Sequence, residues 1–509
     1  MLPLLAGLLW ADDSHLALRV WTFVLPGTEL GAATADFNGD GKPDLVVAHL
    51  KGKGAERELS IYFQGPRLKR FTSDKPQRRW AVPADACAFA VGDFDPQAGG
   101  EALFLCPTRV VLIRGAGETI TAFKGEGFFD RREEAALPLW DLVQDLDGDG
   151  LPEVLVPTKS GYTVLGRSAK TSLKSRGTLE VPIDQSFGPA FEGKLLNRFL
   201  STRLRLRRVV AIDLNGDKRL DLAAYRAEGL AHFLQRKDGT FPSKPDREEE
   251  LALVKKAESK GGKKEGEKGG EAFANVRLTL DDLDGDGAAD LLVTETQGSA
   301  GVFSSLSARL VIFRGRAGKA RLWNERKPEV VIRLKGLASD PLRVDWDGDG
   351  KRDLILSSYR MDMFTNLKRA VFKTLKIEYR VFLQQAKGPL FKRESDVNLE
   401  VEVPLDALGA RGGHQAVILH ADLNGDGLRD QIARRPEGGL RILLGKREKG
   451  FLGGTSLGFD TKHPAKLSIF AEPPRVVDLD GDGKDELIFE PFGGDDLAAR
   501  TLRVVGVAK

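Results

Sequence analysis

One pattern returns eight times along this chain: an apolar stretch, then Asp-x-Asp/Asn-Gly-Asp-Gly-x-x-Asp/Glu, then another apolar stretch. It begins at Asp36, Asp93, Asp145, Asp213, Asp282, Asp345, Asp422 and Asp478, reading DFNGDGKPD, DFDPQAGGE, DLDGDGLPE, DLNGDKRLD, DLDGDGAAD, DWDGDGKRD, DLNGDGLRD and DLDGDGKDE. Six copies match at every defining position, and the second and fourth are degenerate. The intervals are 57, 52, 68, 69, 63, 77 and 56 residues, a spacing that belongs to propeller-type arrays. Eight such units consume nearly all of the 509 residues and leave no room for a separate catalytic domain.

The flanks of each motif read as strands. Near-continuous apolar runs follow it, such as LVVAH at Leu45, ALFLC at Ala102 and LLVT at Leu291, as expected of strands buried on both faces. A third run follows in each unit (SIYFQG from Ser60, VVLIRG from Val110, RVFLQ from Arg380), and a fourth, alternating one often precedes the next motif. Four strands per unit make a propeller blade. The eighth unit stops after its third strand, at LRVVGVAK, while LALRVWTFV from Leu16 to Val24 is an unassigned strand-like run. The expectation is therefore an all-β fold over 16–509. It is a single β-propeller of four-stranded blades, closed by the N-terminal strand so that no sheet edge stays free. Eight motifs favour eight blades; seven is the count if one motif sits in an insertion.

These residues resemble the FG-GAP and VCBS repeat family, the integrin α-like propeller blades of many secreted proteins. The resemblance implies calcium in the loops between first and second strands, and extracellular adhesion or scaffolding. The chemistry of the motif agrees. Calcium takes six to eight oxygens, and carboxylates at alternate positions of a tight loop can turn toward one centre. Positions 1, 3, 5 and 9 supply side-chain oxygens and position 7 a carbonyl, while the glycines at positions 4 and 6 permit the bends.

The candidate ligands are Asp36, Asn38, Asp40, Lys42 and Asp44 in loop 1, and Asp145, Asp147, Asp149, Leu151 and Glu153 in loop 3. Loop 5 offers Asp282, Asp284, Asp286, Ala288 and Asp290, and loop 6 offers Asp345, Asp347, Asp349, Lys351 and Asp353. Loop 7 offers Asp422, Asn424, Asp426, Leu428 and Asp430, and loop 8 offers Asp478, Asp480, Asp482, Lys484 and Glu486. Loop 2 keeps only Asp93, Asp95 and Glu101, because Gln97 replaces the fifth-position acid and Pro96 a glycine, so it is expected to be weak or empty. Loop 4 keeps Asp213, Asn215, Asp217 and Asp221, but Lys218 replaces the sixth-position glycine, and weaker binding is expected. Up to eight Ca2+ ions are expected in all.

Charge points to a partner class. The eight loops hold 28 of the 74 acids at ligand positions, leaving 46 against 77 Lys and Arg, so the net charge of +3 hides a basic body. Eight divalent ions would raise it to +19, which favours polyanionic partners such as acidic polysaccharide. A protein ligand at a propeller face is the other partner expected, with the chain monomeric and no specific nucleic acid involved.

Leu2 to Trp10 reads LPLLAGLLW, resembling the apolar part of a secretory signal over 1–11. No Lys or Arg precedes it and Leu9 stands where a small residue is expected, so an ordinary buried segment is the competing reading. Residues 244–271, rich in Lys, Glu and Gly, read as a disordered insertion. Residues 361–376 read as an amphipathic basic helix, packed on the propeller or facing an anionic surface, and Leu195 to Arg208 carries the same two readings. Cys87 and Cys106 flank motif 2, where either a cross-strand disulfide or two buried thiols would fit.

Wholesale disorder is excluded by 41% hydrophobic residues, and spanning helices by the lack of an 18-residue apolar run. The six histidines form no HxH or HExxH pair, and no GxSxG elbow or P-loop occurs. The reading is a calcium-binding secreted, periplasmic or cell-surface propeller, not an enzyme, acting in adhesion or as a scaffold. A polysaccharide-acting enzyme with its site at the propeller face is the alternative.

Overall fold

The computed structural model describes residues 8–9, 16–52, 55–65, 71, 75–95, 97–125, 137–168, 173–191, 198–254, 272–299, 306–316, 322–359, 373–405, 417–435, 438–449, 455–467, 474–490 and 500–507. Eight antiparallel sheets of at least four strands follow one another along the chain, an eight-bladed β-propeller. In blade 1 the strands are Glu29–Ala35, Asp44–Leu50, Arg57–Tyr62 and Arg78–Ala81, hydrogen-bonded in that order. Blades 2 to 7 repeat this meander, starting at Ala88, Val143, Val209, Ala272, Leu337 and Val417.

Blade 8 is assembled from both ends of the chain. Arg475–Val477, Glu486–Phe489 and Thr501–Val507 are joined by Leu18–Val24, with Leu18 opposite Val507 and Val24 opposite Thr501. The ring is closed by the N-terminal strand, as its unassigned run suggested. Leu8–Leu9 adds a short fifth strand outside Leu18–Val24, and the rest of the signal-like segment lies outside the described residues.

The second strands explain their unbroken apolar runs. Successive side chains point to opposite faces of a sheet. Leu45 and Val47 therefore pack toward blade 8 with Ile488 and Val504, while Val46 and Ala48 pack toward blade 2 with Phe104 and Phe89. Among the described residues there are eight apolar clusters, each filling the junction of two neighbouring blades. No helix among the described residues is long and apolar enough to cross a membrane.

Three segments differ from expectation. Within 244–271, Arg247–Glu250 is the outer strand of blade 4, paired with its third strand, and Leu251 and Val254 just beyond it are buried in the apolar cluster between blades 4 and 5. Residues 255–271 lie outside the described part. Within 361–376, Thr374–Phe382 is a strand rather than helix; Leu375 enters the blade 6 core, and Lys376 pairs with Glu400 across to the next strand. Cross-strand partners thus override the helical spacing of that end, and 360–372 lie outside the description. Arg198–Arg205 pairs with Asp184–Phe191 as a hairpin between blades 3 and 4.

Cys87, just before the inner strand of blade 2, and Cys106, at the end of the second, form no disulfide, and burial pushes the Cys106 thiol up to about 12.

Candidate metal centres

Every motif forms the turn between the first and second strands of its blade, so all eight loops lie at one end of the ring. Neighbouring loops touch. The Gly100 N–H donates to the Asp36 carbonyl at 2.6 Å, joining loops 2 and 1, and the Asp485 N–H donates to the Asp422 carbonyl at 2.8 Å, joining loops 8 and 7.

Within a loop, the first acid organises the turn. Asp36 accepts the N–H groups of Gly39 and Gly41, each at 2.7 Å. Such bonds need a left-handed backbone at positions 4 and 6, and the glycines there have φ between 66° and 87° in loops 1, 3 and 5 to 8. Lys218 is forced into the same conformation, at φ 68°, and still donates its N–H to Asp213 at 2.7 Å. The strain expected of loop 4 is present.

The ninth-position acid is the most buried part of each loop. Asp44, Glu101, Glu153, Asp221, Asp290, Asp353, Asp430 and Glu486 all accept the N–H of the second-position residue, at 2.6 to 3.1 Å. In five loops the other carboxylate oxygen accepts a backbone N–H from the end of the third strand: Gln64, Gln235, Gly315, Gln384 or Gly445. Burial raises these acids despite the amides, Asp44 to about 6 and Asp290 and Asp430 to about 7. A buried anionic carboxylate needs positive charge nearby.

Loops 3, 5, 6 and 8 gather such oxygens. Asp145, Asp147 and Glu153 each bring one oxygen to within 4.8 Å of the others, as do Asp282, Asp284 and Asp290, Asp345, Asp347 and Asp353, and Asp478, Asp480 and Glu486. The fifth-position acids Asp149, Asp286, Asp349 and Asp482 stand outside these groups; in loop 6, Asp349 turns instead to Lys351. The Oδ1 of Asp284 is buried with no hydrogen-bond partner, as suits a ligand oxygen, while its Oδ2 pairs with Arg314 at 2.6 Å. These four loops fit a hard divalent cation. Loops 1, 4 and 7 keep the same turn, with Asn38, Asn215 and Asn424 at position 3.

Loop 2, expected to be weak or empty, already holds a side-chain cation. Arg114, at the end of its blade's third strand, inserts a guanidinium that donates to Asp95 and, at 2.9 Å, to Glu118. Arg114 and Asp95 are 7% and 2% exposed, so a side-chain cation already meets the acid that a metal would use. Asp95 is thereby held in an internal ion pair with Arg114, while Glu101 accepts the N–H groups of Phe94 and Asp95, with burial pushing it up to about 8.

Two sets of residues escaped sequence reasoning. The second position of every motif (Phe37, Phe94, Leu146, Leu214, Leu283, Trp346, Leu423, Leu479) is a buried apolar plug. Its signal was visible, since all eight are large and apolar. Gln64, Gln235 and Gln384 each send Nε2 to a second-position carbonyl of the preceding blade, Leu479, Leu146 and Leu283, at 2.9, 2.8 and 2.6 Å. The recurring Gln after the third strand was the only trace of these latches.

An eight-bladed propeller whose blades share one acidic turn is the class this architecture defines. The FG-GAP repeat family matches residues 31–49, the inner strand, loop and second strand of blade 1. The chain is thus an eight-bladed β-propeller whose first blade matches the FG-GAP repeat. No curated protein matches it. Among solved structures, it is similar to an Agrocybe aegerita lectin studied for specific recognition of non-reducing terminal N-acetylglucosamine. The identity there is 12%, coverage 98% of this chain and 96% of that one, and the TM-score 0.40. The V. cholerae biofilm matrix protein Bap1 is 13% identical over 100% of this chain and 92% of its own, with TM-score 0.29. A Photorhabdus luminescens Tc holotoxin pore is 13% identical over 95% of this chain but 22% of its own, with TM-score 0.27.

Proposed function

We propose that this protein is a calcium-stabilised propeller that works as a binding module outside the cytoplasm, presenting its loop face to an acidic polysaccharide or a protein ligand. The observation that carries this reading is the gathering of carboxylate oxygens within 4.8 Å in loops 3, 5, 6 and 8. Those loops hold the ion through their first, third and ninth acids, and loops 1, 4 and 7 through the equivalent Asp and Asn groups. The ion supplies charge compensation for carboxylates that the fold buries, and so links metal binding to folding. Millimolar calcium outside cells saturates even weak sites of this kind, which supports a secreted, periplasmic or surface location. With its loop acids neutralised, the chain keeps an excess of Lys and Arg over Asp and Glu, the reason to favour a polyanion. Binding rather than catalysis, by a monomer, is the activity proposed.

The test is retention on immobilised heparin with calcium and with chelator, beside metal content by elemental analysis. Salt-sensitive retention that strengthens with calcium supports the reading. Metal-free protein, or retention indifferent to both calcium and salt, rejects it.

A further inference from the structure

A cavity of about 330 Å³ opens at the loop end of the ring, between the inner strands of blades 4 and 5, with blade 6 closing one side. That volume lies at the lower end of the range for small-ligand sites, near one sugar unit. Three arginines from three places converge on it: Arg208 before the inner strand of blade 4, Arg343 on the inner strand of blade 6, and Arg352 at the eighth position of loop 6.

Asp281 already shows what these guanidinium groups recognise. Its carboxylate is shared between Arg343, at 2.5 Å, and Arg352. One carboxylate against two guanidinium groups leaves positive charge in excess. Arg208 is exposed, lies 5.7 Å from the Tyr225 ring centroid, and has no carboxylate partner among the described residues. A guanidinium resting on an aromatic face keeps its in-plane N–H donors available to a ligand.

The remaining charges of the wall, Asp213 and Asp282, are the first acids of loops 4 and 5. Without metal they offset the arginines; a divalent ion in each loop would remove that offset.

We propose that this cavity is the anchor site for a single carboxylated sugar unit of an acidic polysaccharide, with Arg208 and Arg352 gripping its carboxylate. This rests on the binding-module reading above and gives it a place. A planar carboxylate matches the paired donors of guanidinium, whereas a neutral sugar offers them nothing of equal strength. Binding here is coupled to calcium, because Asp213 and Asp282 repel the same carboxylate until their loops are filled.

Titration calorimetry of the full chain with galacturonate, and with galactose as the neutral control, tests it directly. Galacturonate is expected to bind in calcium and at least ~10-fold more weakly in chelator or in Arg208→Ala and Arg352→Gln, with galactose silent. Both arginines are exposed, and thermal melts of the variants establish that they fold. If wild-type protein binds heparin but galacturonate affinity is absent, or unchanged in both variants, the cavity is not the site and the polyanion reading stands. If wild-type protein binds neither probe, the broader reading fails with it.

Discussion

The Nε2 of Gln64 donates to the carbonyl of Leu479 at 2.9 Å, although the two residues are 415 positions apart. The bond ties the third strand of blade 1 to the loop of blade 8, at the junction where the ring closes. Gln64→Ala leaves that buried carbonyl unpaired, and the expected cost is about 1 to 3 kcal/mol. Urea unfolding of the variant checks this; an unchanged midpoint would show that the latch is dispensable.

Loop 2 is expected to take no calcium, so elemental analysis should find no more than seven ions per chain. Removing its internal cation by Arg114→Ala leaves Asp95 buried without its partner, at a cost of about 3 to 5 kcal/mol. Chemical denaturation in chelator, where metal cannot substitute, measures the loss.

Lys218 occupies a left-handed backbone that glycine adopts in the intact loops. Lys218→Gly is therefore expected to stabilise the protein by about 1 kcal/mol and to tighten calcium binding at loop 4. Differential scanning calorimetry with and without calcium separates the two effects, and a lowered melting temperature would contradict the strain argument.

Calcium removal is expected to lower the melting temperature sharply. Each site filled at 100 times its Kd contributes about 2.7 kcal/mol, and several act together. Equal melts in calcium and chelator would reduce the loops to plain turns.

His232 is held neutral in the blade 4 core, edge-on to Trp323 at 6.3 Å, its pKa lowered to about 4 by burial and then by Arg247. The unfolded chain takes up this proton below about 6.5 and the folded chain only below about 4. Stability therefore falls as pH drops through that window, by on the order of 3 kcal/mol from this residue. His232→Phe should flatten that part of the stability profile relative to wild type; parallel profiles would exclude the assignment.

The strand order within a blade and the place of each acidic turn were legible in the sequence, which favoured eight blades over seven, and the eight sheets of the ring decided that count. Those follow from local rules: Asp at position 1 accepts its own loop amides, Gly at positions 4 and 6 supplies the left-handed bends, and apolar runs demand burial on both faces. The N-terminal strand was legible too, because an unpartnered strand faced an incomplete blade. Only the tertiary structure decided what depends on residues distant in sequence. Arg114 reaches loop 2 from the end of another strand, so no motif spacing reveals that the loop carries its own cation. Thr374–Lys376 becomes strand because Val403 and Glu402 stand opposite, outweighing a helical spacing that a short segment cannot enforce alone. Arg208, Arg343 and Arg352 line one cavity because blades 4 and 6 turn their inner edges to one axis, a convergence written in the ring and in no single repeat.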